Sequence, residues 1–302
     1  MQKHLNLHFD GICNERMDRM KIAFTTCVQL GESCIKKILD MGGNLDLLIT
    51  LKDEKAKNKS GRIYLDNIAK ENNIPLLKIN NINDSEAVNE IKEKDIDWLF
   101  IIGWSQIARC EVLNAPKKGC IGMHPTLLPK GRGRASVPWA ILKGLDKTGV
   151  TMFRLDEGVD TGDILGQIEI PLHNKITATE LYEKVNQTHI ELIEKYWDDI
   201  VNDNLTLKKQ DDTLATIWEG RKPEDGELNG NMTIDEAERL VRAVTHPYPG
   251  AFYYEKEKKV TVWSAEVSDH PQENNLKLKD GYLNFLEYEI ESCVKDEESI
   301  SN

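Results

Sequence analysis

Long apolar segments are missing from this chain of 302 residues, so we expect no membrane-spanning helix and no membrane partner. Its longest apolar runs, such as residues 45–50 and 99–103, are far shorter than the roughly 20 residues that cross a bilayer. The first nineteen residues mix acidic, basic and histidine side chains and contain no apolar core, unlike a secretory signal peptide. We therefore expect a cytoplasmic protein in which residues 1–19 are an extension outside the fold.

Patterns that bind metals, form disulfides or hold dinucleotides are also missing. The six cysteines show no paired spacing, and neither a CxxC pair nor a His/Cys cluster occurs. Such cysteines are typical of free thiols in a reducing compartment, and no metal site is predicted. The segment TTCVQLGESC after the first predicted strand carries one glycine, so a GxGxxG dinucleotide site is not expected there.

Basic residues are too few to give the chain a positive balance. Lysine and arginine number 39 against 51 aspartates and glutamates, and the formal net charge is −12. Proteins that bind polyanions usually carry a basic face, because neutralisation of phosphates dominates that binding. The charge therefore argues against nucleic acid as a partner, although it leaves room for a local basic patch.

The order of predicted elements is typical of an α/β fold. From residue 20 onwards, short apolar strands alternate with segments whose apolar residues recur at helical spacing. This alternation indicates a Rossmann-like, doubly wound parallel sheet with helices on both faces, whose ligands bind beyond the carboxyl ends of the strands. The predicted strands are 20–26, 45–50, 73–79, 95–104, 119–124, 148–155 and 163–170, and the predicted helices are 32–41, 62–71, 85–94, 136–144 and 176–203.

Two domains are expected. The large α/β domain spans residues 20–204, and the polar stretch 202–212 suits a linker. Residues 205–295 contain a short predicted helix at 235–243 and several strand candidates, which indicates a small mixed α+β domain. The last residues, 296–302, are expected to be a frayed tail.

One connection stands out for its composition. GCIGMHPTLLPKGRGRAS, residues 119–136, combines several glycines and two prolines with a single histidine. Pro125 and Pro129 lack backbone donors, so the segment after His124 is neither a regular strand nor a helix. His124 stands at the carboxyl end of a predicted strand, where sheets of this kind bind ligands. A capping or core histidine is the alternative interpretation.

A compact acidic segment, RLDEGVDTGDILGQ, follows at residues 154–167. It lacks the ligand alternation and the terminal glutamate of an EF-hand loop, whereas a solvated hairpin stays open as an alternative. A carboxylate that orients an imidazole sets its tautomer and stabilises its charged form, so a His/Asp pair can move protons near neutral pH. We therefore expect this segment to supply a carboxylate to His124.

These segments closely resemble the signature of the formyltransferases that use 10-formyltetrahydrofolate. HPTLLP is similar to the histidine-bearing, folate-side loop of that family, and DEGVDTG is similar to the loop that bears its aspartate. Downstream, GRKPEDGELNG and RAVTHPYPGAF resemble segments of sugar-nucleotide N-formyltransferases and, more loosely, of methionyl-tRNA formyltransferases. The resemblance implies a formyltransferase domain with 10-formyltetrahydrofolate as co-substrate and without a metal.

The resemblance also implies roles for single residues. His124 and Asp160 match the family's histidine and aspartate, but Gly122 stands where the family has an asparagine two residues before the histidine. In the family that amide helps to hold the formyl oxygen as negative charge develops, and loss of one such donor costs a factor of ~100 to 1,000 in rate. A backbone N–H at Gly122, an ordered water and Thr126 are the replacements that stay open.

Three further groups of residues are expected at the site. The first follows the most apolar strand, where the pterin is expected to lie, with packing as the alternative role for its tryptophan. The second is the loop before the aspartate, whose backbone the resemblance implies as a pterin ligand. The third is a basic stretch suited to acceptor phosphates, with solvated charges as the alternative. The first group is Trp104, Ser105 and Gln106. The second group is Leu155, Asp156, Glu157 and Val159. The third group is Lys130, Arg132 and Arg134.

The reaction that the resemblance implies is acyl transfer to an amine. A neutral acceptor amine attacks the formyl carbon, His124 stabilises the oxyanion and moves the proton towards folate N10, and Asp160 holds His124. Acidic residues outnumber basic ones beyond residue 205, so we expect the acceptor to be a nucleotide-linked amino-dideoxy sugar rather than tRNA. A methionyl-tRNA formyltransferase and a non-catalytic folate- or sugar-binding relative stay open as alternatives, and a homodimer stays open as the assembly.

Overall fold

The computed structural model describes residues 19–55 and 61–292. Nearly all of the predicted extension 1–19 and the whole predicted tail 296–302 lie outside the described residues, as do Cys13 and Cys293. The four cysteines that the structure describes, Cys27, Cys34, Cys110 and Cys120, form no disulfide, as the lack of paired spacing predicts.

A seven-stranded sheet forms the centre of the large domain. Its strands are short runs of mostly buried aliphatic residues, as expected for strands covered on both faces. The strands of this region are β1 (Ile22–Thr25), β2 (Leu47–Leu51), β3 (Leu76–Ile79), β4 (Trp98–Ile101), β5 (Gly119–His124), the two-residue β6 (Arg132–Gly133), β7 (Lys147–Arg154) and β8 (Ile164–Pro171). Leaving out β6, the sheet order is β3-β2-β1-β4-β5-β7-β8, which confirms the predicted α/β class.

The far edge of this sheet departs from the predicted parallel arrangement. Strands β3, β2, β1, β4 and β5 are parallel, but β7 runs antiparallel to both β5 and β8. The loop between β7 and β8, residues 155–163, is shorter than the dozen or more residues that a parallel crossover needs. A hairpin is therefore the only connection that this length allows.

Helices cover both faces of the sheet. One face packs against α1, α5 and α6 around the stacked rings of Phe24 and Phe100, whose centroids lie 5.4 Å apart. The other face packs against α3 and α4. None of the described helices is long and apolar enough to cross a membrane. The helices of this domain are α1 (Gln29–Asp40), α2 (Asp66–Glu71), α3 (Ser85–Glu93), α4 (Cys110–Leu113), α5 (Ser136–Leu142) and α6 (Ala178–Val201).

Helix α2 begins later than its predicted start at residue 62. The guanidinium of Arg62 donates hydrogen bonds to Thr50 Oγ1 at 3.2 Å and to the Leu51 carbonyl at 3.1 Å. These contacts fasten Arg62 beside β2, so the helix starts only at Asp66.

The small domain is an antiparallel sheet packed against one helix, α7 (Ile234–Val244). The strands are β10 (Ala251–Glu255), β11 (Lys258–Ser268), β12 (Asn275–Lys277) and β13 (Tyr282–Ser292), in the order β10-β11-β13-β12. A capping box starts α7, because Thr233 Oγ1 accepts from the Glu236 N–H while the Glu236 carboxylate accepts from the Thr233 N–H. The predicted mixed α+β domain is confirmed.

Residues 205–220, here called the connecting segment, overlap the predicted linker 202–212 and contact the large domain at several points. Lys208 pairs with Ile164 at the start of β8. Farther along, β9 (Ile217–Trp218) pairs in parallel with β6. The segment therefore lies directly on the loop that follows His124.

Candidate active site

His124 ends β5 and is buried, with 7% of its surface exposed. Its Nε2 lies 2.8 Å from the carbonyl oxygen of Gly131 and 3.3 Å from Ser136 Oγ. A carbonyl oxygen only accepts, so Nε2 carries the hydrogen and Nδ1 has the free lone pair of the neutral ring. Nδ1 faces Asp160 Oδ2 at 3.6 Å. The arrangement allows the imidazole to take up a proton at Nδ1 next to a carboxylate that stabilises the resulting charge.

Asp160 is held in an uncommon backbone conformation. Its φ of 55° lies in the left-handed region, which aspartate tolerates better than most other residues. Its Oδ2 accepts a hydrogen bond from the Gly133 N–H at 2.9 Å. The carboxylate is thus tied to the same loop that holds the imidazole of His124.

Gly122 lies two residues before His124 on the same face of β5, and Leu155 covers it. A Cβ atom added at Gly122 would lie 2.7 Å from Leu155 Cδ2 and 3.2 Å from its Cγ. The backbone N–H of Leu155 donates to the Cys120 carbonyl at 2.8 Å, which fixes the leucine at this place. The side chain of Leu155, predicted only as a backbone ligand, therefore fills the space beside the histidine.

Thr126 carries a buried hydroxyl without a partner among the described residues. The residue is 2% exposed, and its Oγ1 makes no hydrogen bond there. Its methyl group packs towards Gly131, where an added Cβ would lie 2.9 Å from Thr126 Cγ2. An unpaired buried hydroxyl costs free energy, so this group suits a bound polar atom.

The side chain of Gln106 joins two loops rather than standing free. Its Oε1 accepts from the Ile82 N–H at 2.9 Å and from Trp104 Nε1 at 3.2 Å, while its Nε2 donates to the Asn80 carbonyl at 3.0 Å. Both lone pairs of the amide oxygen are therefore occupied, which leaves one amide hydrogen for a ligand. Ser105, between the two, is exposed.

The loop before Asp160 is shaped by Asp156. Its Oδ1 accepts from the Gly158 N–H at 3.1 Å and from Thr161 Oγ1 at 2.6 Å, which closes the turn. Val159 at the tip of the turn is 54% exposed. The side chain of Asp156 therefore shapes the loop, while its backbone is exposed to a ligand.

Glu157 connects this loop to the segment that follows β4. Its Oε1 accepts from the Cys110 thiol at 2.9 Å, and this bond raises the pKa of the thiol. Arg154 and Glu157 line a cavity of about 380 Å³ beside the loop. A larger cavity of about 480 Å³ near Trp197 contains none of the predicted site residues. The loop before Asp160 is thus joined to the start of α4, four residues beyond Gln106.

The three predicted phosphate ligands differ in their surroundings. Lys130 and Arg134 are exposed, but Arg132 is buried. The guanidinium of Arg132 donates to Gln210 Oε1 at 2.7 and 3.1 Å and to Asp212 Oδ1 at 2.6 Å. Arg132 thus differs from the other two predicted phosphate ligands, because its Nε and Nη2 donors bind the connecting segment and its side chain is buried, which disfavours the expected role.

A cluster of cations around Trp139 was not expected from sequence. Lys143 Nζ and Arg221 Cζ lie 5.1 and 5.2 Å from the centre of the indole ring, and its Nε1 donates to the Glu219 carbonyl. Arg134 passes beside Gly220 in the same area. The signal available in sequence was the spacing of Trp139 and Lys143, four residues apart and therefore neighbours on a helix.

His189 lies in α6 and is 1% exposed. Its Nδ1–H donates to the Val185 carbonyl at 2.7 Å. Burial is the main reason why the pKa of His189 is lowered to about 4; the hydrogen bond to Val185 opposes the shift, and the proximity of His124 adds to it. His189 is therefore neutral at pH 7 and places no second positive charge near His124.

Comparisons with known proteins agree with this architecture. The profile described as Formyl transferase matches residues 23–195, and that of Formyl transferase, C-terminal domain, matches residues 221–289. A methionyl-tRNA formyltransferase from Clostridioides difficile is 32% identical over 269 residues, which cover 83% of this chain and 81% of that protein.

Two solved structures share the fold. The methionyl-tRNA formyltransferase from Clostridium thermocellum matches with a TM-score of 0.62 and 20% identity, covering 90% of this chain and 99% of that one. An N-formyltransferase from Helicobacter canadensis, solved with folinic acid and dTDP-3-aminofucose, matches with a TM-score of 0.64 and 19% identity. The second alignment covers 87% of this chain and 97% of that one.

Proposed function

Since this chain belongs to the formyl transferase family and is an N-formyltransferase, we propose that it transfers the formyl group of 10-formyltetrahydrofolate to a nucleotide-linked amino-dideoxy sugar. The catalytic pair is His124 and Asp160. The observation that carries the proposal is the 3.6 Å distance between His124 Nδ1 and Asp160 Oδ2, at the carboxyl end of β5.

Four features support a site for the formyl donor beside His124. Residues 156–159 of the loop before Asp160 are exposed to solvent and can reach a pterin. The Cys110 thiol, at the start of α4, donates to Glu157 and joins this loop to the region that follows Gln106. Thr126 offers a buried hydroxyl to the formyl oxygen. The Helicobacter canadensis relative binds folinic acid, a compound of the same class.

The residues of the site divide the chemistry between them. As the acceptor amine forms a bond to the formyl carbon, the carbonyl oxygen becomes an oxyanion, and His124 takes the amine proton at Nδ1. Asp160 stabilises the imidazolium, and the Gly131 carbonyl keeps the other ring nitrogen in place. His124 then delivers the proton to folate N10 as the bond between N10 and the formyl carbon breaks. Thr126 donates to the oxyanion.

The cation cluster around Trp139 supports a phosphate-bearing acceptor. Helix α5 begins at Ser136, next to His124, and rises 1.5 Å per residue, so Lys143 lies about 10 Å farther along. Neither Lys143 nor Arg134 forms an ion pair with a carboxylate of the residues that the structure describes. Their charges are free to bind the pyrophosphate of a nucleotide-linked sugar.

Methionyl-tRNA is the second candidate acceptor. The 32% identity to the Clostridioides difficile methionyl-tRNA formyltransferase over most of both chains favours it. The excess of acidic residues beyond residue 205 counts against it, because binding of tRNA depends on phosphate neutralisation.

The test offers purified protein and 10-formyltetrahydrofolate to 3-amino and 4-amino sugars linked to nucleotides, and to methionyl-tRNA, with products followed by mass. We expect a gain of one formyl group on an amino sugar. His124→Ala should lower turnover at least about 100-fold, since it removes the proton carrier. His270→Ala, on an exposed histidine of the small domain, is the matched control. Formylation of methionyl-tRNA alone would contradict the proposed acceptor, and near-normal turnover of His124→Ala would contradict the proposed catalytic pair.

A further inference from the structure

We propose that Gln210, in the connecting segment, is a positioning residue that sets the distance between His124 and Asp160. The inference rests on the proposed function, because it takes these two residues as the catalytic pair. Gln210 touches neither of the two catalytic side chains. It binds backbone and side-chain groups of the two loops that hold them.

The amide nitrogen of Gln210 holds the loop that contains the aspartate. Nε2 donates to the carbonyl of Asp160 at 2.9 Å and to the carbonyl of Gly162 at 2.7 Å. Asp160 has a left-handed φ of 55°, a conformation that persists where the surroundings impose it. The two hydrogen bonds from Gln210 act on this residue and on the turn immediately after it.

The amide oxygen of Gln210 holds the loop on the histidine side. Oε1 accepts from Arg132 Nε at 3.1 Å and from Arg132 Nη2 at 2.7 Å. Arg132 follows Gly131, whose carbonyl accepts the Nε2–H of His124. The side chain of Gln210 therefore connects Arg132, the neighbour of the residue that binds the His124 imidazole, with the backbone of Asp160.

Only an amide fits both sets of partners. The two amide hydrogens meet two carbonyl oxygens, and the two lone pairs of the amide oxygen meet two guanidinium N–H groups. A glutamate at position 210 would keep the acceptor and lose both donors, whereas an alanine would lose the acceptor and both donors. Neighbouring contacts fix the segment, because Thr216 Oγ1 accepts from the Gly131 N–H at 2.8 Å and its carbonyl accepts from the Arg132 N–H at 2.9 Å.

The experiment uses two variants of the full-length protein and a double-mutant cycle. Gln210→Ala removes both connections, and Gln210→Glu keeps the bond to Arg132 while it removes the two donors to the Asp160 loop. We expect both to lower kcat about 10- to 100-fold, because misplacement of a catalytic group by about 1 Å has effects of that size. Gln187→Ala, on an exposed glutamine of α6, is the matched control and should stay within about twofold of the unchanged protein.

The cycle separates positioning from a general structural role. If Gln210 acts through Asp160, then Gln210→Ala adds no further loss of kcat when Asp160 is already alanine. A role limited to folding would give multiplied losses in the double variant and would overturn the inference. Thermal melting checks that Gln210→Glu, which retains the charged contact with Arg132, is folded at the assay temperature.

The two levels of the proposal fail in different ways. Inactive His124→Ala together with a Gln210→Glu variant that retains more than about a third of the kcat overturns the role of Gln210 and leaves the proposed function intact. Active His124→Ala overturns the catalytic pair itself, and with it the premise of this inference.

Discussion

Placing an asparagine at Gly122 tests whether the site lacks an oxyanion donor or has no room for one. The resemblance to the family leads to the expectation of an amide at this position, and in the structure Leu155 occupies the adjoining space. The added Cβ would lie 2.7 Å from Leu155 Cδ2, so the leucine must move by about 1 Å to reach ordinary contact. The carboxamide beyond that Cβ requires still more space.

The two opposing effects are of similar size. Overpacking of this kind costs about 1–3 kcal/mol, whereas an oxyanion donor in the right place lowers the barrier by about 2.7–4 kcal/mol. The gain requires the amide to reach the formyl oxygen, and Leu155 lies in its way. We therefore expect the kcat of Gly122→Asn to stay level or to fall, with a melting temperature a few degrees lower. When Leu155→Ala is added, room becomes available, and the double variant should exceed Leu155→Ala alone about tenfold.

The assay measures formyl transfer with saturating donor and acceptor, together with thermal melting of each variant. Gly42→Asn is the matched control for kcat, since a Cβ there meets nothing within 4 Å; its φ of 77° strains any side chain, so its melting temperature is not compared. A tenfold or larger gain in the single Gly122→Asn variant would refute the argument, because it would show that Leu155 leaves room for the amide.

Two further predictions concern pH and the acceptor. Because the pKa of His189 is about 4 in the folded protein and about 6.5 when unfolded, only the unfolded chain binds this proton between those values, and stability falls as the pH drops from 6.5 to 4. The titration of His189 lowers the free energy of unfolding by about 2 kcal/mol between pH 7 and pH 4.5. Urea unfolding should show a smaller decrease over this range in His189→Gln. Equal decreases in the two proteins would contradict the prediction. Arg134→Ala should raise the KM of the phosphate-bearing acceptor about tenfold and leave that of the donor unchanged, whereas Lys256→Ala on an exposed turn should change neither. Initial rates would decide, and an unaltered acceptor KM would exclude Arg134 from the binding site.

Sequence patterns predict the elements that depend on local periodicity. The apolar residues of β4 and β5 and the helical spacing of α6 are signals that a few consecutive residues carry, and the structure confirms all three elements. The antiparallel pairing of β7 with β8 is a different matter, because the length of the loop between them decides it, whereas nothing local decides that β7 also runs antiparallel to β5. Read for length alone, the nine residues of the loop 155–163 already indicate a hairpin.

Arg132 shows where sequence reasoning stops. In the stretch GRGR it is indistinguishable from Arg134, and both suit phosphate binding. The difference arises from Gln210 and Asp212, which lie 78 and 80 residues farther along the chain and take up the donors of Arg132. As a result Arg132 is buried whereas Arg134 is exposed, and no local sequence pattern predicts contacts between residues so far apart in the chain.

The same reasoning explains why the catalytic pair can be identified from residue types whereas its supports cannot. His124 and Asp160 act through imidazole and carboxylate groups, which few residue types provide. Their supports act mainly on backbone groups: the Gly131 carbonyl binds the imidazole, and the Asp160 carbonyl binds Gln210. Every residue has a backbone carbonyl, so nothing at these positions reveals the need for a partner. Substitutions in the connecting segment should therefore affect turnover more than equally conservative ones in β10–β13, although both regions lie outside the large domain.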